Sequence, residues 1–246
     1  MSFDRALKGP WIGHSFRSLL AGLRHDAFYS LLNRNVSGLE DLGDSANGCN
    51  WTILTTDLNA DSVIYSAGVG RDISFEHALA NRFSATIQLI DPSPTGQATM
   101  SLAPNQRPEF IFHPVALAGK PGFLDLGEPS NPEEGSWMSM DGTVQSNNAH
   151  QAMIQVPCVT VSDLMKQLGH RSIDLLKIDI EGAEYAVLES LLEEKVPVRQ
   201  IAVEFHNGIL PGIPRSLTIN LLFRLFRDGY RLVYKGGNNH TLVKAS

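Results

Sequence analysis

The chain has 246 residues, 43% hydrophobic and 19% charged, enough to bury one large core and suited to a single catalytic domain with an N-terminal extension. A formal charge of -6 argues against a surface built to neutralise nucleic-acid phosphates or anionic lipid, so small-molecule or protein partners are expected and nucleic acid is not. Two distant cysteines, Cys49 and Cys158, give neither a disulfide scaffold nor a paired zinc motif, and no apolar run reaches the ~18 residues of a membrane span, so the expectation is a cytoplasmic, unexported protein.

From His14 to Asn33, apolar residues at Phe16, Leu19, Leu20, Leu23, Phe28, Leu31 and Leu32 follow helical spacing. This amphipathic helix packs on its own domain or serves as a lid or homodimer contact. Between Asn35 and Asn50 the chain is polar and rich in Gly, Asp and Asn, which reads as a linker. Residues 1–50 are thus a helical extension with its linker, and residues 51–246 the catalytic fold.

A strand at Val63–Ala67, a helix at Ser74–Asn81 and a strand at Thr86–Ile90 signal βαβ units, hence an α/β fold around a parallel sheet. Further strands are expected at Phe110–Ala118, Ile173–Ile180 and Gln200–His206, and helices at Val161–Leu168, Ala183–Leu192 and Arg215–Asp228. The last strands, Arg231–Tyr234 and Thr241–Lys244, flank Gly236, Gly237, Asn238 and Asn239, which suits a hairpin adding an antiparallel pair at the end of the sheet. Residues 127–150, rich in Gly, Pro, Ser and Asn, read as one long loop of the kind that often carries function. Its Trp137, Met138 and Met140 either cover substrate or pack on the domain.

The first strand runs into Gly68-Val69-Gly70-Arg71-Asp72, with glycines where a backbone turns tightly and approaches a ligand, or simply makes a βα turn. Ile73 stands where the dinucleotide fingerprint needs its third glycine, which counts against a nicotinamide or flavin. Asp91 ends the second strand, where a carboxylate accepts hydrogen bonds from a ribose diol; the alternative is a cap on the next helix beside Pro92 and Pro94. Ala116, within Val115-Ala116-Leu117, leaves space for an adenine ring, or belongs to a buried apolar strand.

The most informative stretch is 173–192, IDLLKIDIEGAEYAVLESLL. Strand alternation puts Lys177 and Asp179 on one face, and Glu204 and His206 likewise on the next strand. Charges inside a sheet are costly unless paired, so a Lys177–Glu204 ion pair is expected. Asp179 and His206 fall at carboxyl ends of strands, where open α/β sheets place ligands. Asp179 suits an amino group or an acceptor's proton; His206, with an unperturbed pKa near ~6.5, suits a general base. Glu181 and Glu204 stand beside them as catalytic candidates. A divalent metal among Asp179, Glu204 and His206 is chemically compatible. No ligand spacing enforces one, and none is assigned.

The run Lys177-Ile178-Asp179-Ile180-Glu181-Gly182-Ala183-Glu184 resembles the Lys-Ile-Asp-x-Glu-Gly-Ala-Glu signature of the FkbM family of S-adenosylmethionine-dependent methyltransferases. The similarity runs from Ile64 through His206, including the glycine turn, Asp91, Val115–Leu117 and Val159–Leu164. It implies a Rossmann-like, seven-stranded class I methyltransferase sheet, S-adenosylmethionine as cofactor, and methylation of a hydroxyl on a sugar or small metabolite. Gly68, Gly70, Asp91 and Ala116 then hold the cofactor, with Ser66, Asp72 and Asp179 at its methionine end. Ser66 stands where many such enzymes carry an acid, a role left to Asp72. Two other readings share parts of the pattern: a nicotinamide-dependent oxidoreductase, and a binding module without catalysis.

Overall fold

The computed structural model describes residue 29 and residues 32–129, 135–139, 152–210 and 212–245. In chain order its elements are β1 (Leu39–Asp44), β2 (Cys49–Leu54), β3 (Ile64–Ala67), α1 (Ser74–Phe83), β4 (Ile87–Ile90), α2 (Pro94–Ser101), β5 (Phe110–His113), β6 (Ala116–Leu117), β7 (Gly122–Gly127), β8 (Met138–Ser139) and β9 (Met153–Val159). They continue with α3 (Val161–Gln167), β10 (Ile173–Ile178), α4 (Glu184–Glu193), β11 (Val198–Glu204), α5 (Arg215–Arg227), β12 (Tyr230–Gly236) and β13 (Asn239–Lys244).

Seven strands form one sheet in the order β12-β13-β11-β10-β3-β4-β5. The five from β11 to β5 are parallel, and the closing hairpin of β12 and β13 is antiparallel. The central strands are apolar on both faces, as strands covered on two sides must be. Alternation divides them between two cores. Tyr65, Ala67, Leu176 and Ile178 pack with Val161, Leu188 and Leu222 of α3, α4 and α5. Ile64, Leu89 and Leu175 pack with Phe75 and Leu79 of α1 and with Trp51 and Ile53 of β2.

Register then fixes the site. Ala67 pairs with Ile178 on one side and with Ile90 on the other. The next residues along the three strands, Gly68, Asp179 and Asp91, therefore leave the sheet together at its carboxyl edge.

Several expectations need correction. The stretch read as a linker contains β1, which pairs with β2; its polar residues hold the ribbon together, Asn50 donating to Asp41 Oδ1 at 2.7 Å, while Trp51 and Ile53 turn inward. The single strand expected at 110–118 is two strands in different sheets, divided around Pro114, whose nitrogen cannot donate to a ladder. A four-stranded sheet, β6-β9-β7-β8, had no counterpart in the sequence reading, and β8 lies within the stretch read as loop. Pro94 does not merely turn the chain: it opens α2, whose N-cap Ser93 accepts from Gly96 N. The helical stripe at 14–33 and Met140 lie outside the described residues, except for Tyr29, Leu32 and Asn33. Among the described residues, no helix is long and apolar enough to cross a membrane.

Candidate functional site

At the end of β3 the chain turns through Gly68 and Gly70, both with positive φ, 88° and 55°. A Cβ on Gly68 would lie 1.8 Å from the carbonyl oxygen of Asp179, so the two strand ends meet at a distance that only glycine permits. Gly70 instead faces open space. Asp91 fastens this turn. Its Oδ2 accepts from Val69 N and Gly70 N at 3.0 Å each, and its Oδ1 accepts from Ser93 N at 2.8 Å. A carboxylate has about four acceptor positions, so about one remains on Oδ1. The expectation that Asp91 accepts both bonds of a ribose diol is narrowed accordingly. Nor does it cap α2, because Ser93 does.

Ser66 is wholly buried, and its hydroxyl donates to Oε1 of Glu76 on α1. Glu76, itself buried, reaches the wall of the adjoining cavity, which Ser66 does not. Asp72 also lines the cavity, but its Oδ1 accepts from Ser74 N at 2.8 Å as a local turn contact.

Lys177 is buried and does not form the expected ion pair with Glu204. Its Nζ donates to Gly68 O at 2.6 Å, lies 4.0 Å from Asp179 Oδ2 and sits 5.3 Å from the centre of the Trp51 ring. The ammonium is drawn to the turn because a carbonyl, a carboxylate and an aromatic face all converge there. Lys177 braces the glycine turn.

Beyond β10, Glu181 adopts φ 50° and Gly182 φ 102°, two left-handed residues that swing the chain into α4. The conformation is costly for a glutamate, and such cost is typically kept where a side chain must be aimed. Glu181 Oε2 lies 3.2 Å from His206 Nε2, and Asp179 Oδ1 lies 3.8 Å from the same nitrogen. On the other side of the ring, His206 Nδ1 donates to Oε1 of Glu184, a carboxylate with no exposure.

These charges set each other's protonation. Burial opposes a charged imidazole at His206, but the Glu184 hydrogen bond and the Glu184, Glu181 and Asp179 carboxylates outweigh it and raise the pKa to about 9. The surrounding carboxylates therefore favour the protonated ring, which weighs against His206 as a ready general base. Burial pushes Glu181 up, Asp179 and Glu184 add to this, and His206 opposes it. Glu204 rises to about 7, mainly through burial and then the Asp179 charge. Among the described residues the Glu204 side chain makes no hydrogen bond or ion pair.

The turn, the acidic strand ends and β6 enclose a cavity of about 270 Å³. Of the residues singled out in the sequence, Gly68, Gly70, Asp72, Asp91, Ala116, Lys177, Asp179, Glu181 and Glu204 line it, as does Trp137. Ser66 stands behind the wall and His206 beneath it. Sequence reasoning missed Glu76 and Glu184, although a signal was present. Each carboxylate lies on the apolar stripe of its helix, Glu76 with Leu79 and Ala80, Glu184 with Val187, Leu188 and Leu191. A charge on such a stripe is buried, and a buried charge needs a partner.

Residues 53–232 match the family model described as the Methyltransferase FkbM domain. No curated protein matches the chain. Among solved structures, it is similar to the fibrillarin pre-rRNA processing protein of Methanococcus jannaschii, at 10% identity and a TM-score of 0.44, over 86% of this chain and 84% of that one. It is also similar to M. jannaschii TYW2 in complex with AdoMet, at 12% identity and a TM-score of 0.35, over 85% of each chain.

Proposed function

The chain belongs to the FkbM family of S-adenosylmethionine-dependent methyltransferases, and we propose that it transfers the methyl group to a hydroxyl oxygen of a sugar or another small metabolite. Family membership leaves the nicotinamide alternative without support. One observation carries the choice of oxygen: Asp179, Glu181 and Glu204 gather on a single cavity wall beside the glycine turn. Such a wall hydrogen-bonds a hydroxylated acceptor and offers a place for its proton.

The residues present fit the cofactor. Gly70 leaves room for close approach, Asp91 retains an acceptor position on Oδ1 for a ribose hydroxyl, and Ala116 with Leu117 supplies an apolar slot for adenine. We assign the ammonium of the methionine end to Glu76, the buried carboxylate that reaches the cavity next to the turn, in preference to Ser66 or Asp72. When bound, the cofactor supplies an electrophilic methyl on a sulfonium, so positioning contributes much of the rate. Glu204, the cavity carboxylate without a partner among the described residues, takes the hydroxyl proton as that oxygen bonds the methyl carbon, and the sulfur keeps the electron pair of the bond that breaks. Asp179 and Glu181 orient the acceptor. Residues 51–246 act as the catalytic unit in this reading.

Mass-spectrometric methyl-transfer assays on a panel of sugars, sugar-bearing metabolites and amines test this. O-methylated products that form with the wild type and not with Glu204→Gln are expected. Products methylated only on nitrogen would sink the oxygen assignment, and undiminished turnover in Glu204→Gln would remove Glu204 as the base.

A further inference from the structure

We propose that Asp179, Glu181 and His206 form a binding site for one divalent cation of the Mn2+ class, set into the cavity wall. Two ligand atoms each ~2.1 Å from a common ion are about 3.0 Å apart at a right angle and about 3.8 Å apart at ~130°. His206 Nε2 lies 3.2 Å from Glu181 Oε2 and 3.8 Å from Asp179 Oδ1, and the three ligand atoms all fall within 4.8 Å of one another. Partly exposed carboxylates can close the longest of these gaps by rotating.

The ligand types agree with the geometry. Two carboxylate oxygens and one imidazole nitrogen suit a divalent cation of intermediate hardness. Asp179 divides its oxygens, Oδ2 toward Lys177 and Oδ1 toward His206, so the lysine does not occupy the position the ion needs.

A second, independent observation is Glu184. This carboxylate is wholly buried, turned toward the cluster through His206, and its Oε2 has no hydrogen-bond partner among the described residues. A buried, half-satisfied carboxylate is expensive in a packed helix. Behind a metal-ligating histidine it is the expected arrangement, because bonding Nδ1 turns Nε2 toward the ion and raises its basicity. Around this point the carboxylates of Asp179, Glu181, Glu184 and Glu204 outnumber the Lys177 ammonium, and a divalent cation that displaces the Nε2 proton of His206 offsets the surplus.

Coordination positions left open would face the cavity, where an acceptor hydroxyl can bind and become more acidic. That role rests on the methyl-transfer reading; the binding of the ion does not. The sequence already offers Asp179 and His206 with Glu204 as third partner; the parallel pairing of β10 with β11 brings the two strand ends together, and the geometry puts Glu181 in the place of Glu204.

The test uses the full-length protein, stripped by chelation, desalted and titrated with Mn2+ by electron paramagnetic resonance and calorimetry. S-adenosylhomocysteine is titrated separately in the presence of chelator. One saturable Mn2+ per chain is expected, weakened at least about tenfold in Asp179→Asn and in Glu181→Gln, with nitrogen coupling from the imidazole lost in His206→Gln. If that last variant fails to fold, the two carboxylate variants still decide. No saturable Mn2+, or affinity unchanged in both carboxylate variants, overturns the site. S-adenosylhomocysteine binding to the stripped protein in that case leaves the methyltransferase reading intact, whereas Mn2+ binding without it supports the site and strikes the function.

Discussion

Glu184 holds His206 through Nδ1, so the opposite ring nitrogen faces Asp179 and Glu181. The helix supplies the aim and the strand end supplies the ring. Removing the ring strands a wholly buried carboxylate, and breaking a buried charged pair in this way costs about 3–5 kcal/mol. His206→Ala is expected to lose stability on that scale in urea unfolding, and Glu184→Gln, which keeps an acceptor for Nδ1, to lose less. If His206→Ala unfolds within about 1 kcal/mol of the wild type, the pairing is not structural.

Gly96 on α2 lies against the Asp91 carboxylate, and a Cβ there would fall 2.4 Å from Asp91 Cγ. That carboxyl group cannot easily yield, because three backbone N–H groups hold it. Gly96→Ala should therefore displace Asp91 and loosen the glycine turn, while the gain in helix propensity, about 1 kcal/mol, offsets part of the stability loss. Calorimetry with S-adenosylhomocysteine is expected to show affinity reduced roughly tenfold or more, since 1.4 kcal/mol of lost contact suffices for that. Unchanged affinity would mean that Asp91 does not shape the cofactor site.

Much of this arrangement was legible because it is local. The glycine turn, Asp91 and the Lys177–Glu184 run are contiguous signals, and strand alternation alone puts Lys177 with Asp179. What could not be read is non-local. β10 lies between β3 and β11, so Lys177 has a neighbour on each side, and its contact with the Gly68 carbonyl on the β3 side is a choice that alternation along one strand leaves open. The small sheet escaped because the side chains that β7 and β9 bury are only Leu124, Leu126, Val156 and Cys158, while Phe123 and Met153 are exposed, a thin alternation split by a long intervening stretch. Glu76 and Glu184 were readable as charges on apolar stripes, but their partners, Ser66 and His206, lie on other elements.

Glu76 and Asp72 make opposite predictions about the methionine end. A charged hydrogen bond contributes about 1.5–3 kcal/mol, so Glu76→Gln should weaken S-adenosylhomocysteine roughly ten- to a hundredfold. Asp72, exposed and engaged with Ser74 N, should tolerate Asn with little effect on affinity. The reverse ranking in calorimetric titrations would return the role to Asp72. Decarboxylated or deaminated cofactor analogues sharpen the comparison, because only an analogue lacking the ammonium should bind Glu76→Gln and the wild type alike.

His113 ends β5 away from the cavity and gives the fold a pH dependence of its own. Its ring is half-buried, and Nε2 donates to Gln88 Oε1 at 2.7 Å. Burial disfavours the charged ring and holds the pKa below its usual 6.5. The unfolded chain therefore binds this proton more readily than the folded one, so stability rises with pH across the interval between the two values. The contribution is complete above the unfolded value and is lost as pH falls through the depressed folded one. His113→Asn starts less stable, because buried Gln88 loses its donor, but it lacks this acid-sensitive step. Urea midpoints compared at about pH 7.5 and about pH 5.5 should show the wild type falling further than the variant. Parallel losses in the two proteins would place the acid sensitivity on other groups.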